Sequence, residues 1–357
     1  MRLDLRVVEL HLTEPLRISR SVMTSRDAVE LAVRHGGLSG HGEVVASFYL
    51  GLPTEEVLRH GRALDLSRYP DPETALIELQ RLEAPFKELP PGVLAGVEAA
   101  LLDLVGKRAG APVHQLLGLL GTPAAATART IAIVDPGSAA AQAARLALSG
   151  FRVLKVKAGS ADPEDDLARV RAVREGAPDA ELLLDPNGAW TVAESLALVP
   201  RFAELGVTAI EQPTAPGHPE WLAEVAGCSE LPVIADEDAV SSEDAIRLAG
   251  RVHGINIKLA KCGGVSAALR ICAALHGSGT DVMLGCLTAS SLGIAPAVHL
   301  VDRARWVDLD GHLLLRHDPW RGIGGHDGVV RAADRAGLGV HPAEVSGGEH
   351  SDAEANA

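Results

Sequence analysis

The chain has 357 residues, with 33 Lys and Arg against 47 Asp and Glu and a net charge of −14, which argues against nucleic acid or an anionic membrane as partner. Hydrophobic residues make up 47% and charged residues 22%, so a sizeable core in one or two domains is within reach. The four cysteines, Cys228, Cys262, Cys272 and Cys286, show no CxxC spacing, and a reduced, cytoplasmic setting is the simpler expectation.

The opening MRLDLRVVEL reads as a strand, not as a basic segment before an apolar run, so no signal peptide is expected. No apolar run reaches membrane-spanning length. RVVELHLTEPLRISR, AVELAVRHGG and GHGEVVASFYL then read as a meander of strands, and PGVLAGVEAALLDLVGKRAG as a helix. Residues 1–118 are therefore expected to form an α+β capping domain. From about residue 130, short apolar strands alternate with Ala/Leu-rich helical stretches. The strands are TIAIVD, FRVLKVK, ELLLD, VTAIEQ, LPVIADE, HGINIKLA, DVMLGC and RWVDLD. Eight parallel strands returning through helices make an α/β fold of the (β/α)₈ type, a TIM-like barrel over 119–315. A doubly wound open sheet is the structural alternative, but the glycine fingerprint it usually carries is missing. Residues 316–357 are expected to pack back on the capping domain and to end in a disordered tail, GGEHSDAEANA.

The strand ends carry charge in phase. Lys157 ends the second strand, Asp185 the third, Glu211 the fourth and Asp236 the fifth; Lys258 lies on the sixth, and Asp308 and Asp310 on the eighth. Taken singly, an Asp after a strand is most often a cap or turn residue. Recurrence once per βα unit is not explained that way, because residues at the C-terminal ends of barrel strands converge on one mouth. Asp185, Glu211 and Asp236 on adjacent strands form a hard-oxygen set suited to one Mg²⁺. Lys155 and Lys157 leave one strand by the same face. The first is expected to lower the proton affinity of the second, as an adjacent ammonium does. Lysines on the second and sixth strands approach the mouth from opposite sides. One can remove a proton next to a carboxylate and the other return it, through a metal-stabilised enediolate, giving racemisation or epimerisation. On the sixth strand, alternation places Asn256, Lys258 and Ala260 on one face, and Lys261 with the outward set or beyond the strand, so Lys258 is chosen.

This constellation resembles the enolase superfamily in its muconate-lactonizing branch, over nearly the whole chain. The capping domain, Lys155-x-Lys157, the three carboxylates, Lys258 and GLGV at 337–340 carry the resemblance. It implies Lys157 and Lys258 as acid/base pair, Lys155 as electrostatic neighbour, and Asn187 and Glu237 as supporting or substrate-carboxylate partners. VDLDGH resembles the Asp-x-Asp of dipeptide epimerases, which implies that Asp308 and Asp310 face a ligand ammonium. Arg20, in RISRSV, matches where such enzymes place a cation for a substrate carboxylate. The resemblance thus implies an Mg²⁺-dependent dipeptide epimerase, a small-molecule dipeptide as partner, and a homo-oligomer. Alternatives are o-succinylbenzoate synthase, N-acylamino acid racemase, or a non-catalytic barrel that only binds. Two positions depart from the family pattern: Gly188 stands where Gln is common, and Ala289 where Glu is common.

Overall fold

In a computed structural model of the chain, the described residues are 1–344; the segment 345–357, and with it the whole of the expected tail, lies outside them. Strands β1 (Arg2–Ile18), β2 (Ser21–His35) and β3 (Leu38–Val45) form an antiparallel sheet in that order. The β1–β2 register shifts between His11 and Leu16, across the Thr-Glu-Pro stretch, where Pro15 has no amide to give the ladder. Val29, Leu31 and Val33 alternate along one buried face of β2. Helix α1 (Thr54–Ala63), α2 (Pro72–Gln80) and α3 (Pro91–Ala109) follow. The helix α3 lies so close to β3 that a Cβ at Gly40 or Gly42 would come within 2.1 Å of its carbonyl oxygens. The two glycines of this strand therefore mark a backbone approach.

After a short strand β4 (Ala124–Ala126) come eight parallel strands: β5 (Ala128–Ile131), β6 (Val153–Lys157), β7 (Glu181–Asp185), β8 (Val207–Glu211), β9 (Val233–Ala235), β10 (Gly254–Lys258), β11 (Asp281–Gly285) and β12 (Trp306–Asp308). They pair in chain order into a nearly closed barrel. Five of the helices between them begin on side-chain caps, with Asp135, Asp162, Thr191, Ser241 and Ser290 each accepting a backbone amide of the first turn. The seam between β12 and β5 carries no backbone ladder. Side chains close it instead. The Leu309 amide donates to Thr127 Oγ1 at 2.9 Å, and the Thr130 amide to Asp310 Oδ2 at 2.7 Å.

Sheet and barrel are joined by buried polar contacts. Glu43 of β3 accepts the Ser290 amide at 2.9 Å and the Ser290 hydroxyl. From the C-terminal segment, Trp320 donates its indole N–H to Glu30 at 2.9 Å, and the Leu338 amide reaches Asp103 at 2.8 Å. No helix among the described residues is long and apolar enough to cross a membrane.

Candidate active site

The period of two along each strand builds the site in layers. Ala128, Leu183, Ala209, Ile234, Met283 and Trp306 pack together as an apolar plug inside the barrel. Two residues further along each strand stand Thr130, Asp185, Glu211, Asp236, Gly285 and Asp308. From β6 and β10, Lys155, Lys157, Asn256 and Lys258 fall on the same inward face. The barrel is thus filled by carbon below and by charge above, at the C-terminal mouth.

The charged layer is one network. Lys155 Nζ lies 3.0 Å from Asp185 Oδ2, 2.6 Å from Glu211 Oε2 and 2.8 Å from Asp308 Oδ2. Lys157 Nζ reaches the same Asp185 oxygen at 2.5 Å, so the two β6 ammonium groups share one carboxylate oxygen. Across the mouth, Lys258 Nζ donates to Asp236 Oδ2 at 2.7 Å. Lys261 Nζ takes Oδ1 of that carboxylate at 2.5 Å and two backbone carbonyls. Asn256 Nδ2 donates to Glu211 Oε1 at 2.8 Å. Lys155 is thus not a bare cation beside Lys157, because three carboxylates surround it.

Burial opposes every one of these charges, and the partners decide which survive. Burial alone would raise Asp185 and Asp236, yet Lys155 and Lys157 hold the first, and Lys258 and Lys261 the second, below the usual carboxylate range. Burial would lower Lys155, but Asp185, Asp308 and Glu211 push it well up. Glu211 goes the other way: burial and then the like charge of Asp185 push it up to about 7. Its Oε2 is buried with no donor aligned on it, although Lys155 Nζ is 2.6 Å away. Among the described residues, no three His, Cys, Asp or Glu side chains are already gathered as a metal cluster; Lys155 stands between Asp185, Glu211 and Asp308. The donor set nonetheless fits a hard divalent cation. It offers three buried carboxylates on adjacent strand ends, and the one ammonium beside Glu211 is shared with Asp185 and Asp308.

The capping sheet roofs this mouth. A cleft lies between the hairpin of β1 and β2 and the strand ends, with Lys157, Lys258, Asp236, Asn187 and Glu237 on its barrel side. Arg20 reaches down to Glu237 Oε1 at 2.6 Å and to the Asn187 carbonyl at 2.9 Å. Its charge is therefore already paired within the protein. Asn187 (φ 49°) and Gln212 (φ 39°) sit in the left-handed region, which few non-glycine residues adopt. Gln212 Oε1 accepts the amides of Asp236 and Asp238 at 3.0 and 3.3 Å. Gly188 has φ 77°, and a Cβ there would come within 3.0 Å of Pro216, so the missing amide side chain has a backbone reason. Ala289 is buried beside Ser290, whose polar groups Glu43 takes from the capping sheet.

The two aspartates of VDLDGH part company. Asp308 ends β12 and joins the lysine network, with Oδ1 buried and without a donor. Asp310 lies beyond the strand, at the start of the 3₁₀ turn Gly311–Leu314. Its Oδ2 accepts from Arg129 and from the Thr130 amide at 3.1 and 2.7 Å. Period-two alternation does not extend past the strand end, so Asp310 Oδ2 serves the seam while Asp308 joins the lysines. Likewise the chain turns helical at Leu259–Cys262. That brings Lys261, 1% exposed, back onto Asp236. Sequence reading missed Lys261, Asn256 and Gln212 as positioning residues; only the polar character of Asn256 at an inward strand position signalled one of them.

Two family models cover most of the chain. Residues 2–118 match the mandelate racemase / muconate lactonizing enzyme N-terminal domain, and residues 138–346 the enolase C-terminal domain-like model. The chain belongs to the enolase superfamily. Among members of this superfamily, the hydrophobic dipeptide epimerase of Roseobacter litoralis is 33% identical over 342 residues, 95% of this chain and 98% of that protein. The L-Ala-D/L-Glu epimerase of Bacteroides thetaiotaomicron is 31% identical over 336 residues, 93% of this chain and 85% of that protein. Among solved superfamily structures, the dipeptide epimerase of Enterococcus faecalis complexed with Mg and L-Leu-L-Tyr aligns with a TM-score of 0.87 at 29% identity. That alignment covers 95% of this chain and 98% of that one.

Proposed function

We propose that the protein is an Mg²⁺-dependent epimerase of short dipeptides, acting on the carbon next to the free carboxylate. One observation carries the reading. Lys157 and Lys258 stand on β6 and β10, four strands apart in a ring of eight, and both line the same cleft. A substrate carbon between them has one amine on each face, which is what inversion of a stereocentre requires. Lys157 Nζ takes the proton of one epimer and Lys258 Nζ delivers a proton from the opposite side; the reverse reaction exchanges the roles. Lys155, held by Asp185, Glu211 and Asp308, keeps a second ammonium beside Lys157. Lys261, Asn256 and Gln212 fix the carboxylates against which the lysines are aimed.

Asp185, Glu211 and Asp236 would hold the Mg²⁺. When bound, the ion supplies positive charge against the negative charge that gathers on the substrate carboxylate as the α-proton leaves. The metal-bound relatives and the single ammonium that Glu211 shares with Asp185 and Asp308 support this assignment. At the other end of the substrate, the buried Oδ1 of Asp308, which has no donor, receives the dipeptide's ammonium, while Asp310 secures the neighbouring seam.

The test is incubation in D₂O with Mg²⁺ of a small panel of free dipeptides and their N-acyl counterparts, read by mass spectrometry and chiral chromatography. Free dipeptides should take up α-deuterium and epimerise, and chelation should stop both. They should exceed N-acyl analogues by at least ~10²-fold in kcat/KM, because a neutral amide leaves a buried carboxylate unsatisfied. Preference for the N-acyl compounds would replace this reading with N-acylamino acid racemase. Absence of exchange in every substrate would mean a barrel that only binds.

A further inference from the structure

The helix Pro163–Gly176, which follows β6, buries Asp166, Leu167, Arg169, Val170 and Val173. Leu167, Val170 and Val173 are what the buried face of a helix requires. Asp166 and Arg169 are not. Three residues apart, they lie side by side on the helix, with Asp166 0% and Arg169 3% exposed and Arg169 Nη1 2.6 Å from Asp166 Oδ1. Apolar side chains of similar volume usually serve stability as well as a buried ion pair does. What they cannot do is hold backbone groups at set distances, and this pair holds several.

All of those groups adjoin one catalytic lysine. Asp166 Oδ2 accepts the amides of Gly159 and Ser160 at 2.7 and 3.0 Å, and Oδ1 accepts the Ser160 hydroxyl at 2.6 Å. Arg169 Nη1 donates to the Lys157 carbonyl at 3.2 Å, Nη2 to Ser160 Oγ at 3.1 Å, and Nε to the Val134 carbonyl, beyond the end of β5, at 2.9 Å. The chain from Lys157 to Ser160 is thus fixed from below. It is hemmed in from above as well: Gly159 has φ 94°, and a Cβ there would come within 2.9 Å of Ala189, Ser19 and Pro186. Neither Asp166 nor Arg169 lines the cleft. Lys258 is anchored separately, because a helical turn follows it and Lys261 Nζ takes the nearby Asn256 carbonyl at 3.0 Å.

We propose that Asp166 and Arg169 are positioning residues for Lys157 alone. They fix the backbone from which that base is aimed and have no part in aiming Lys258. The inference rests on the two-base reading, in which each lysine serves one face of the substrate carbon. Misplacing a reacting group by about 1 Å can cost ~10²-fold in rate, so a clamp on one base should show as a loss on one face.

The experiment places Arg169→Lys and, separately, Ser160→Ala in two backgrounds, Lys258→Arg and Lys157→Arg. It follows α-deuterium exchange of each dipeptide epimer with Mg²⁺, alongside Tm. A lysine at 169 keeps the charge but has no planar fork to reach several acceptors at once. In the Lys258→Arg background, where Lys157 is the base that remains, Arg169→Lys should lower kcat for exchange by ~10-fold or more with KM little changed. In the Lys157→Arg background it should leave exchange within a few-fold. Ser160→Ala removes only the hydroxyl that bridges the pair, and should act in the same direction more weakly; it decides the matter by the same comparison if Arg169→Lys does not fold. Equal losses in the two backgrounds would show a pair that only stabilises the fold, and no loss in the first would show that Lys157 does not depend on it; either overturns the proposal and leaves the epimerase intact. Absence of exchange in both single-lysine proteins, before any further substitution, would overturn the two-base reading and this proposal with it.

Discussion

Replacing Glu43 by glutamine should make the protein more stable at pH 8 and flatten its stability between pH 5 and 8. Glu43 is fully buried between β3 and the helix Ser291–Val298, and burial pushes its carboxyl from the ordinary 4.5 up to about 7, against the hydrogen bonds from Ser290. In the unfolded chain it titrates near its ordinary value. Between those two values the folded protein holds a proton that the unfolded chain has released, so stability falls as pH rises from about 4.5 through about 7 and then levels off. A difference of about 2.5 pH units at ~1.36 kcal/mol each amounts to about 3 kcal/mol lost by pH 8 from this group. The amide side chain of the Glu43→Gln variant can accept the Ser290 amide and donate to its hydroxyl without titrating. Urea unfolding at pH 5, 6, 7 and 8 should show the variant within about 1 kcal/mol of wild type at pH 5 and about 2–3 kcal/mol ahead at pH 8, with similar m-values. A difference that is the same at all four pH values would refute the reasoning.

Lys157→Arg and Lys258→Arg should each abolish epimerisation, and each should retain α-proton exchange with one substrate epimer only; interconversion of both epimers at the wild-type rate in either variant would rule out two bases on opposite faces. Gly285→Ala would place a Cβ 2.4 Å from Asn256 Oδ1, so Asn256 must move off Glu211. It should lower kcat/KM by ~10-fold or more, as loss of a ligand-orienting partner does, and cost about 1–3 kcal/mol of stability; full activity would show that the Asn256–Glu211 contact does not matter.

Most of the barrel was legible because the pattern has two independent periods, one of strand and helix along the chain and one of two along each strand. The alternation that puts Lys258 inward is the same alternation that puts Glu211 above Ala209 and Asp308 above Trp306. It stopped being informative where the strands stop. Lys261 and Asp310 both lie past a strand end, one in a helical turn and the other at a 3₁₀ turn, and their directions depend on backbone geometry that a period cannot supply. Glu43 was illegible for another reason, since nothing near it in the chain announces that Ser290 will be its partner.

The barrel's seam also bears on how such an enzyme can change over generations. Seven junctions between neighbouring strands are backbone ladders, whose spacing is set by the peptide and cannot be altered by substitution. The eighth, between β12 and β5, is made by Thr127, Asp310 and Arg129, and side chains can be exchanged one mutation at a time. The stave that carries Asp308 is therefore the adjustable one. Drift in those three residues can shift Asp308, the proposed partner of the substrate's ammonium, while the strands bearing Lys157, Lys258 and the three carboxylates stay laddered on both sides. Because Asp308 also holds Lys155, such drift is felt in the charged layer through that one ammonium, so grip and chemistry are tuned together.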